Sequence, residues 1–397
     1  MRTPDLNWIK DPRVFQVNRQ HAYSDHIYTI GKDKKPSSFS LNGTWKFNLS
    51  KNYDSCFKFF YNTEFNDSNW NDIQVPGHIQ LQGFDNPHYT DVTYPWDGHD
   101  VVKPGQIDMD KNKVYQYRKT FDCPQDFIGN KLILSFEGAE SNIYVWLNGK
   151  FIGYAEDSFT PSRFDITKYT QEKDNVLCVR IFQKCTGTWL EDQDMWRFTG
   201  LFRDVMIYKQ PSLHIQDLKI DTDIDLDTQK SVLSCVCKMS SNESHTLQAK
   251  LYDPQGNIVW NGNMQDSFEI PVENTCLWSS EFPNLYQLEL VLYDTNNEII
   301  ETIQEQVGFR KFTLEYGIMK LNGKRIVFHG INRHEWDPKT GRCLSQEQME
   351  EDIHILKSLN INAVRTSHYP NNSYWYKLCD QYGIYVIDEM NLETHGA

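Results

Sequence analysis

The periodicity of the chain changes near residue 312, and this change limits the folds that are possible. Before it, short segments of alternating apolar and polar residues are separated by Gly, Pro, Asn and Asp, as in antiparallel β structure. After it, strand-like segments alternate with helix-like ones. With 397 residues, the chain is long enough for about two to four domains. We therefore predict β domains followed by an α/β unit.

The clearest local signal in the first region is the dipeptide Asn148-Gly149, which lies between the apolar segments 143–147 and 150–154. Asn-Gly favours the positive φ angles that a two-residue hairpin turn requires, so a hairpin is predicted here. Further β-rich segments surround it, at 131–136, 175–182 and 204–208. These features predict a jelly-roll β-sandwich over residues 1–208.

The β pattern restarts at Lys209-Gln210-Pro211. About a hundred residues of alternating segments follow, a length and spacing that suit an immunoglobulin-like β-sandwich over residues 209–310. The Cys and Trp spacing of antibody domains is absent, so only the architecture is implied.

Residues 311–397 have the order strand, helix, strand, helix, strand. The predicted strands are 325–330, 361–365 and 384–388, and the predicted helices are 345–359 and 372–381. Crossovers of this length connect parallel strands. A doubly wound sheet is disfavoured because no G-x-G-x-x-G follows the first strand. We expect the first three strands of a truncated (β/α)8 TIM barrel, because the chain ends in the loop after the third strand.

Composition excludes several classes of protein. The net charge of -14 disfavours nucleic-acid binding, since a phosphate backbone would be repelled. No apolar run is long enough for a membrane span, and residues 1–10 lack the apolar core of a signal peptide, which predicts a cytoplasmic location. The nine scattered cysteines predict reduced thiols.

Polar residues follow all three predicted strands of the last region. They are Asn332, His334 and Glu335 after the first strand, Arg365 and His368 after the second, and Glu389, Glu393 and His395 after the third. In a β/α barrel these strand ends open onto one face, so we expect the side chains to converge. Glu393 and His395 could present an oxygen and a nitrogen to a divalent cation, and a strand-end salt bridge or a helix cap is the alternative.

Two earlier segments combine acidic and aromatic residues. One is Glu191-Asp-Gln-Asp-Met-Trp-Arg197, which follows Trp189, and the other is Asp91-Val-Thr-Tyr-Pro-Trp96. Carboxylates bind sugar hydroxyls, and flat rings stack on the apolar face of a pyranose. Taken alone, each segment fits a solvated acidic loop above a packed Trp equally well.

Together with Gly330-Ile-Asn-Arg-His-Glu335, Asn362-Ala-Val-Arg-Thr-Ser-His-Tyr-Pro370 and Asp388-Glu-Met-Asn-Leu-Glu-Thr-His-Gly396, the Glu191–Arg197 segment closely resembles the bacterial β-galactosidases of glycoside hydrolase family 2. The resemblance covers essentially the whole chain. It implies retaining hydrolysis of terminal β-D-galactosides such as lactose by a homo-oligomeric enzyme. It also implies that both catalytic glutamates lie after barrel strands four and seven, so the chain contains no catalytic residue and is expected to be inactive.

The resemblance implies supporting roles for several residues. Glu393 and His395 match ligands of Mg²⁺, and Asp194 resembles a residue that binds Na⁺ and reaches a galactose hydroxyl. The other matching residues are His334 and His368, which would hydrogen-bond the galactosyl ring, and Arg365, which would contact the nucleophile carboxylate. Asp91 departs from the family, which usually has Asn there, so its sugar contact could differ.

Three alternatives remain open from the sequence. β-Glucuronidase and β-mannosidase are the nearest relatives of the same fold, although no cationic group for a glucuronate carboxylate can be located. The jelly roll could also be a non-catalytic carbohydrate-binding module. Alternatively, the two β domains only brace the barrel and an oligomer interface.

Overall fold

The computed structural model describes residues 3–96, 102–103 and 105–394, and its first region is a β-sandwich. One sheet contains seven antiparallel strands in the order Gln16–Val17, Lys150–Glu156, Asn142–Leu147, Asn175–Phe182, Val114–Phe121, Gly43–Ser50 and Asn71–Val75. The facing sheet contains Ser162–Asp165, Lys131–Phe136, Val205–Gln210 and Ser38–Ser40. Apolar side chains from both sheets form one core, which confirms the predicted jelly-roll sandwich.

The predicted hairpin is confirmed. Asn142–Leu147 pairs with Lys150–Glu156, and the turn residues Asn148 and Gly149 have φ angles of 50° and 75°. The outer face of this sheet is also covered, because a second apolar cluster packs the amino-terminal segment and the segment around Phe60 against it. The central strands are therefore buried on both faces.

The second region is another sandwich with a shared core. Its three-stranded sheet contains Ile215–Asp225, Lys230–Met239 and Ser267–Glu273. Its six-stranded sheet contains Ile258–Met264, Thr246–Tyr252, Tyr286–Tyr293, Ile299–Val307, Tyr28–Ile30 and Lys35–Pro36. The last two strands lie within the predicted first domain, 1–208, but they extend this sheet because Ile299–Val307 offers them an unpaired backbone edge. The contiguous boundaries 1–208 and 209–310 therefore do not describe this exchange.

The third region begins with a three-stranded meander, Phe312–Glu315, Ile318–Leu321 and Lys324–Arg325. A parallel sheet of Gly330–Arg333, Ala363–Thr366 and Tyr385–Ile387 follows, and the described residues form no closed barrel. The prediction of a strand at 325–330 is wrong in position. Asn362 causes the shift, because its side chain binds the backbone of Val327 and His329 and so occupies the groups that a strand ladder would use.

Both predicted helices are confirmed. The first is Gln346–Ser358, and a capping box of Ser345 and Gln348 starts it. The second is Ser373–Tyr382, which ends at Gly383 in the left-handed conformation. Their apolar faces pack on one side of the parallel sheet. Among the described residues, no helix is long and apolar enough to cross a membrane.

Short elements connect the regions. Three two-stranded ladders are Ala139–Glu140 with Gly200–Leu201, His88–Thr90 with Met195–Arg197, and Glu191–Asp192 with Glu393–Thr394. The 3-10 helices are Leu6–Lys10, Gln80–Gln82, Gln125–Phe127 and Thr186–Trp189. The last of the ladders is parallel and joins the jelly roll to the loop after the third barrel strand.

Candidate functional site

The polar residues at the ends of the parallel strands converge. Arg365 donates through Nε to Glu389, and Nδ1 of His368 lies 3.0 Å from the other oxygen of the same carboxylate. The rings of His334 and His368 lie edge to face, with centroids 5.4 Å apart. The side chain of Thr366 accepts a hydrogen bond of 2.9 Å from the backbone of Glu389, which fixes that residue beside the second strand.

This convergence requires close contact between the first two strands. Gly330 pairs with Ala363, and a Cβ atom on Gly330 would lie 3.1 Å from the Cβ atom of Ala363. A larger residue at position 330 would therefore push the strands apart.

Asp194 reaches the same site from the jelly roll. Its Oδ1 atom accepts a 2.5 Å hydrogen bond from the hydroxyl of Tyr89, which lies on the partner strand of Met195–Arg197. The charge of Asp194 also acts on His334, whose pKa it raises. Partial burial of the ring opposes this effect and is larger, and the charges of His368 and Arg342 add to it, so the pKa of His334 is lowered overall. His334 is thus favoured in its neutral form.

Two buried ion pairs hold the jelly roll against the barrel strands. Arg203 lies 2.8 Å from Glu335, and Arg342 pairs with Glu140. Arg342 also donates to the carbonyl of Trp196 at 2.9 Å, two residues beyond Asp194. Because Arg342 belongs to the loop that follows His334, this contact sets the position of Asp194 relative to the barrel histidines.

The aromatic residues of the two acidic segments divide into two groups. Trp96 and Trp189 are buried and pack together, with ring centroids 4.2 Å apart, so the packed-Trp alternative applies to them. Trp196 is 41% exposed and contacts Tyr89, which is 48% exposed, with ring centroids 5.4 Å apart. Asp91 is exposed, and its charge contributes to raising the pKa of Tyr89.

The described residues do not assemble the predicted metal site. Glu393 is half-buried in the parallel ladder with Glu191, and its backbone donates to the carbonyl of Leu190 at 2.8 Å. His395 lies outside the described residues. In the part of the chain that the structure describes, no group of three His, Cys, Asp or Glu side chains could hold a metal ion.

Sequence reasoning did not identify Tyr89, Arg342 or the pairing of Arg365 with Glu389. The sequence carries no signal for Tyr89 or Arg342, because each contacts a residue more than one hundred positions away. A signal did exist for Glu389, which follows the third predicted strand directly.

Comparisons with known proteins match all three regions to one family. Models described as the glycosyl hydrolases family 2 sugar binding domain, glycosyl hydrolases family 2, and the glycosyl hydrolases family 2 TIM barrel domain match residues 39–211, 213–310 and 312–397. Each match falls in one of the three regions described above.

Curated relatives carry β-galactosidase names. The chain is 49% identical to a β-galactosidase of Halalkalibacterium halodurans over 99% of its own length and 40% of the relative's. It is 44% identical to a β-galactosidase of Streptococcus thermophilus over 98% of its own length and 39% of the relative's. A β-galactosidase large subunit of Leuconostoc lactis is 41% identical, and the match covers 99% of this chain and 66% of that one. The chain therefore spans less than half the length of the first two relatives.

Among solved structures, a β-glucuronidase from Ruminococcus gnavus in complex with D-glucuronic acid has a TM-score of 0.75 at 20% identity. The match covers 95% of this chain and 62% of that one. At this identity the likeness shows the fold alone.

Proposed function

Because this chain belongs to glycosyl hydrolase family 2, we propose that it forms the galactose-recognition part of a β-galactosidase. The proposed reaction is retaining hydrolysis of terminal, non-reducing β-D-galactose residues, with lactose among the substrates. The observation that carries the proposal is the meeting of Asp194, from the jelly roll, with His334 and His368 at the barrel strand ends. The curated β-galactosidases support the choice of galactose.

The residues of the site suit a neutral sugar. A neutral imidazole has one donor and one acceptor, so His334 can pair with sugar hydroxyls in both senses. Asp194 can accept from a hydroxyl, as an ionised carboxylate does. Arg365, the cation nearest the histidines, is engaged by Glu389, which disfavours its use for a glucuronate carboxylate.

The proposed chemistry needs two carboxylates about 5–5.5 Å apart, one as nucleophile and one as acid and base. The family resemblance assigns them to barrel segments after the fourth and seventh strands, whereas the described residues contain three parallel strands. We therefore propose that the 397 residues alone bind galactosides without hydrolysing them.

Metal binding belongs to the same proposal. Glu393 and His395 would hold Mg²⁺, which prefers oxygen ligands and would need more of them than these two residues supply. Asp194 would contribute a carboxylate oxygen to Na⁺. A cytoplasmic location and a homo-oligomeric state remain predictions of this proposal.

The test compares the 397-residue chain with a chimera. The chimera joins the chain to the part of the Halalkalibacterium halodurans β-galactosidase that follows the matched region. Each is assayed on nitrophenyl β-D-galactoside, β-D-glucuronide and β-D-mannoside. We expect hydrolysis by the chimera only, and of the galactoside only.

A pair of variants ties activity to this site. His368→Ala in the chimera should lower kcat/KM by about 10²–10³-fold, the usual effect of losing a group that stabilises a transition state. His354→Ala, on the exposed side of the first helix, is the matched control and should change nothing. Faster hydrolysis of the glucuronide, or full activity of His368→Ala, would contradict the proposal.

A further inference from the structure

An exposed pair of aromatic rings lies beside Asp194 and has no role in the proposed chemistry. Tyr89 and Trp196 are directly opposite each other in a two-stranded ladder, and their ring centroids are 5.4 Å apart. Their exposed fractions are 48% and 41%. Large aromatic side chains are normally buried, so two exposed rings at the edge of a site suggest a ligand that covers them.

The ladder holds these rings in place. Arg197 donates to the Thr90 side chain, the Asp192 carboxylate and the carbonyls of Glu191 and Gln193, at 2.6–3.1 Å. From the other side, Arg342 donates to the carbonyl of Trp196. The backbone beneath the rings is therefore fixed before any ligand binds, which lowers the entropic cost of binding.

The charges around the rings identify the class of ligand. Asp194 accepts a hydrogen bond from Tyr89, and the charge of Asp91 also acts on that residue, raising its pKa. Two carboxylates beside two aromatic rings suit a pyranose, because the rings stack on its apolar face and the carboxylates accept from its hydroxyls. They would repel an anionic sugar.

The position of the rings indicates which sugar they bind. Asp194 is half-buried and its charge acts on His334, on the barrel side of the site. Tyr89 and Trp196 are more exposed than Asp194, so they lie at the rim. A galactosyl ring held by the histidines and Asp194 would place the next ring of the ligand at this rim.

We propose that Tyr89 and Trp196 form a subsite for an uncharged sugar ring linked to the galactose of the substrate. This inference rests on the proposed function and adds a preference for disaccharides over single galactosides. Tyr89 has a second effect, because its hydrogen bond fixes the orientation of the Asp194 carboxylate.

The test uses the 397-residue chain and two probes, methyl β-D-galactoside and lactose, with binding followed by NMR titration. The chain should bind lactose about fivefold more tightly, as expected for one stacked ring. Trp196→Ala should remove this difference by weakening lactose alone. Trp196→Phe, which keeps a flat ring, should retain at least half of it on a logarithmic scale.

Phe282→Ala is the matched control, because Phe282 is equally apolar, is 68% exposed and lies in the second sandwich. It should leave both affinities unchanged. An equal loss of both sugars in Trp196→Ala, or no loss of either, would overturn the subsite while leaving the proposed function intact.

Failure of the proposed function gives a different result. If neither sugar binds to the chain and the chimera does not hydrolyse galactosides, both proposals fall. If only the chimera is active, KM values decide: Trp196→Ala should raise KM for lactose about fivefold and leave KM for methyl β-D-galactoside unchanged. Equal changes in both would reject the subsite.

Discussion

The jelly roll and the parallel sheet of the third region differ in how completely they are buried. Every residue of the strand Asn175–Phe182 is buried, because apolar clusters cover both faces of its sheet. In the parallel sheet, two helices cover one side, while Ile331 and Ile387 are 41% and 53% exposed. The jelly roll is therefore stabilised by its own core, and the parallel sheet depends more on its contacts with neighbours.

Those contacts are largely polar. Arg203 with Glu335 and Arg342 with Glu140 cross between the two regions, and all four residues are buried. Buried ion pairs add little net stability, but they are costly to break and they fix geometry. The interface is thus suited to positioning Asp194 against the barrel histidines.

The largest effect should come from the jelly-roll core. Trp146 is 1% exposed and stacks on Tyr61, so Trp146→Ala should lower the free energy of unfolding by about 3–5 kcal/mol. Ile331→Ala, in the parallel sheet, should change it by less than about 0.5 kcal/mol. Urea unfolding followed by circular dichroism would measure both. Equal effects would remove the difference between the two regions.

A smaller effect is expected at the interface. Arg342→Met leaves Glu140 buried without its cation, which should cost about 3 kcal/mol. Because the loss falls on the docked region, amide-exchange protection in the helix Gln346–Ser358 should fall by about 100-fold.

Two further variants test the interpretation of this interface. Adding Glu140→Gln to Arg342→Met should restore much of the protection, since the unpaired charge is removed. Lys320→Met breaks a more exposed pair with Glu315 and should cost less than about 0.5 kcal/mol. Unchanged protection in Arg342→Met would show that the pair does not hold the regions together.

The smallest effect should appear as a dependence on pH. His78 is fully buried, and its Nε2 atom accepts from the backbone of Arg342 at 3.0 Å. Burial, aided by the charge of Arg342, holds the pKa of His78 well below its ordinary value of 6.5. The unfolded chain therefore binds a proton at mildly acidic pH that the folded chain does not.

The stability that neutral His78 supports is consequently present above pH 6.5 and is lost as the pH falls below it. Between pH 6 and 5 the wild type should lose up to about 1.4 kcal/mol per unit more than His78→Gln. His329→Gln, at an exposed position, is the control. Parallel pH profiles of wild type and His78→Gln would refute the prediction.

Local sequence determined much of the fold. Asn148-Gly149 predicted the hairpin, and Ser345 with Gln348 predicted the start of the first helix, because turn and cap geometry depend on residues a few positions apart. Register was harder to predict. The strand expected at 325–330 lies at Gly330–Arg333 because Asn362 binds the backbone of the earlier segment, which no local pattern reveals.

The candidate site shows the same division. The sequence alone indicated His334, Arg365 and His368, since polar residues after parallel strands converge at one edge of the sheet. Only the tertiary structure showed that Tyr89 binds Asp194 and that Arg342 joins the two regions. Such contacts depend on how separately folded regions dock, and docking depends on complementary shape and charge across surfaces that are far apart in sequence.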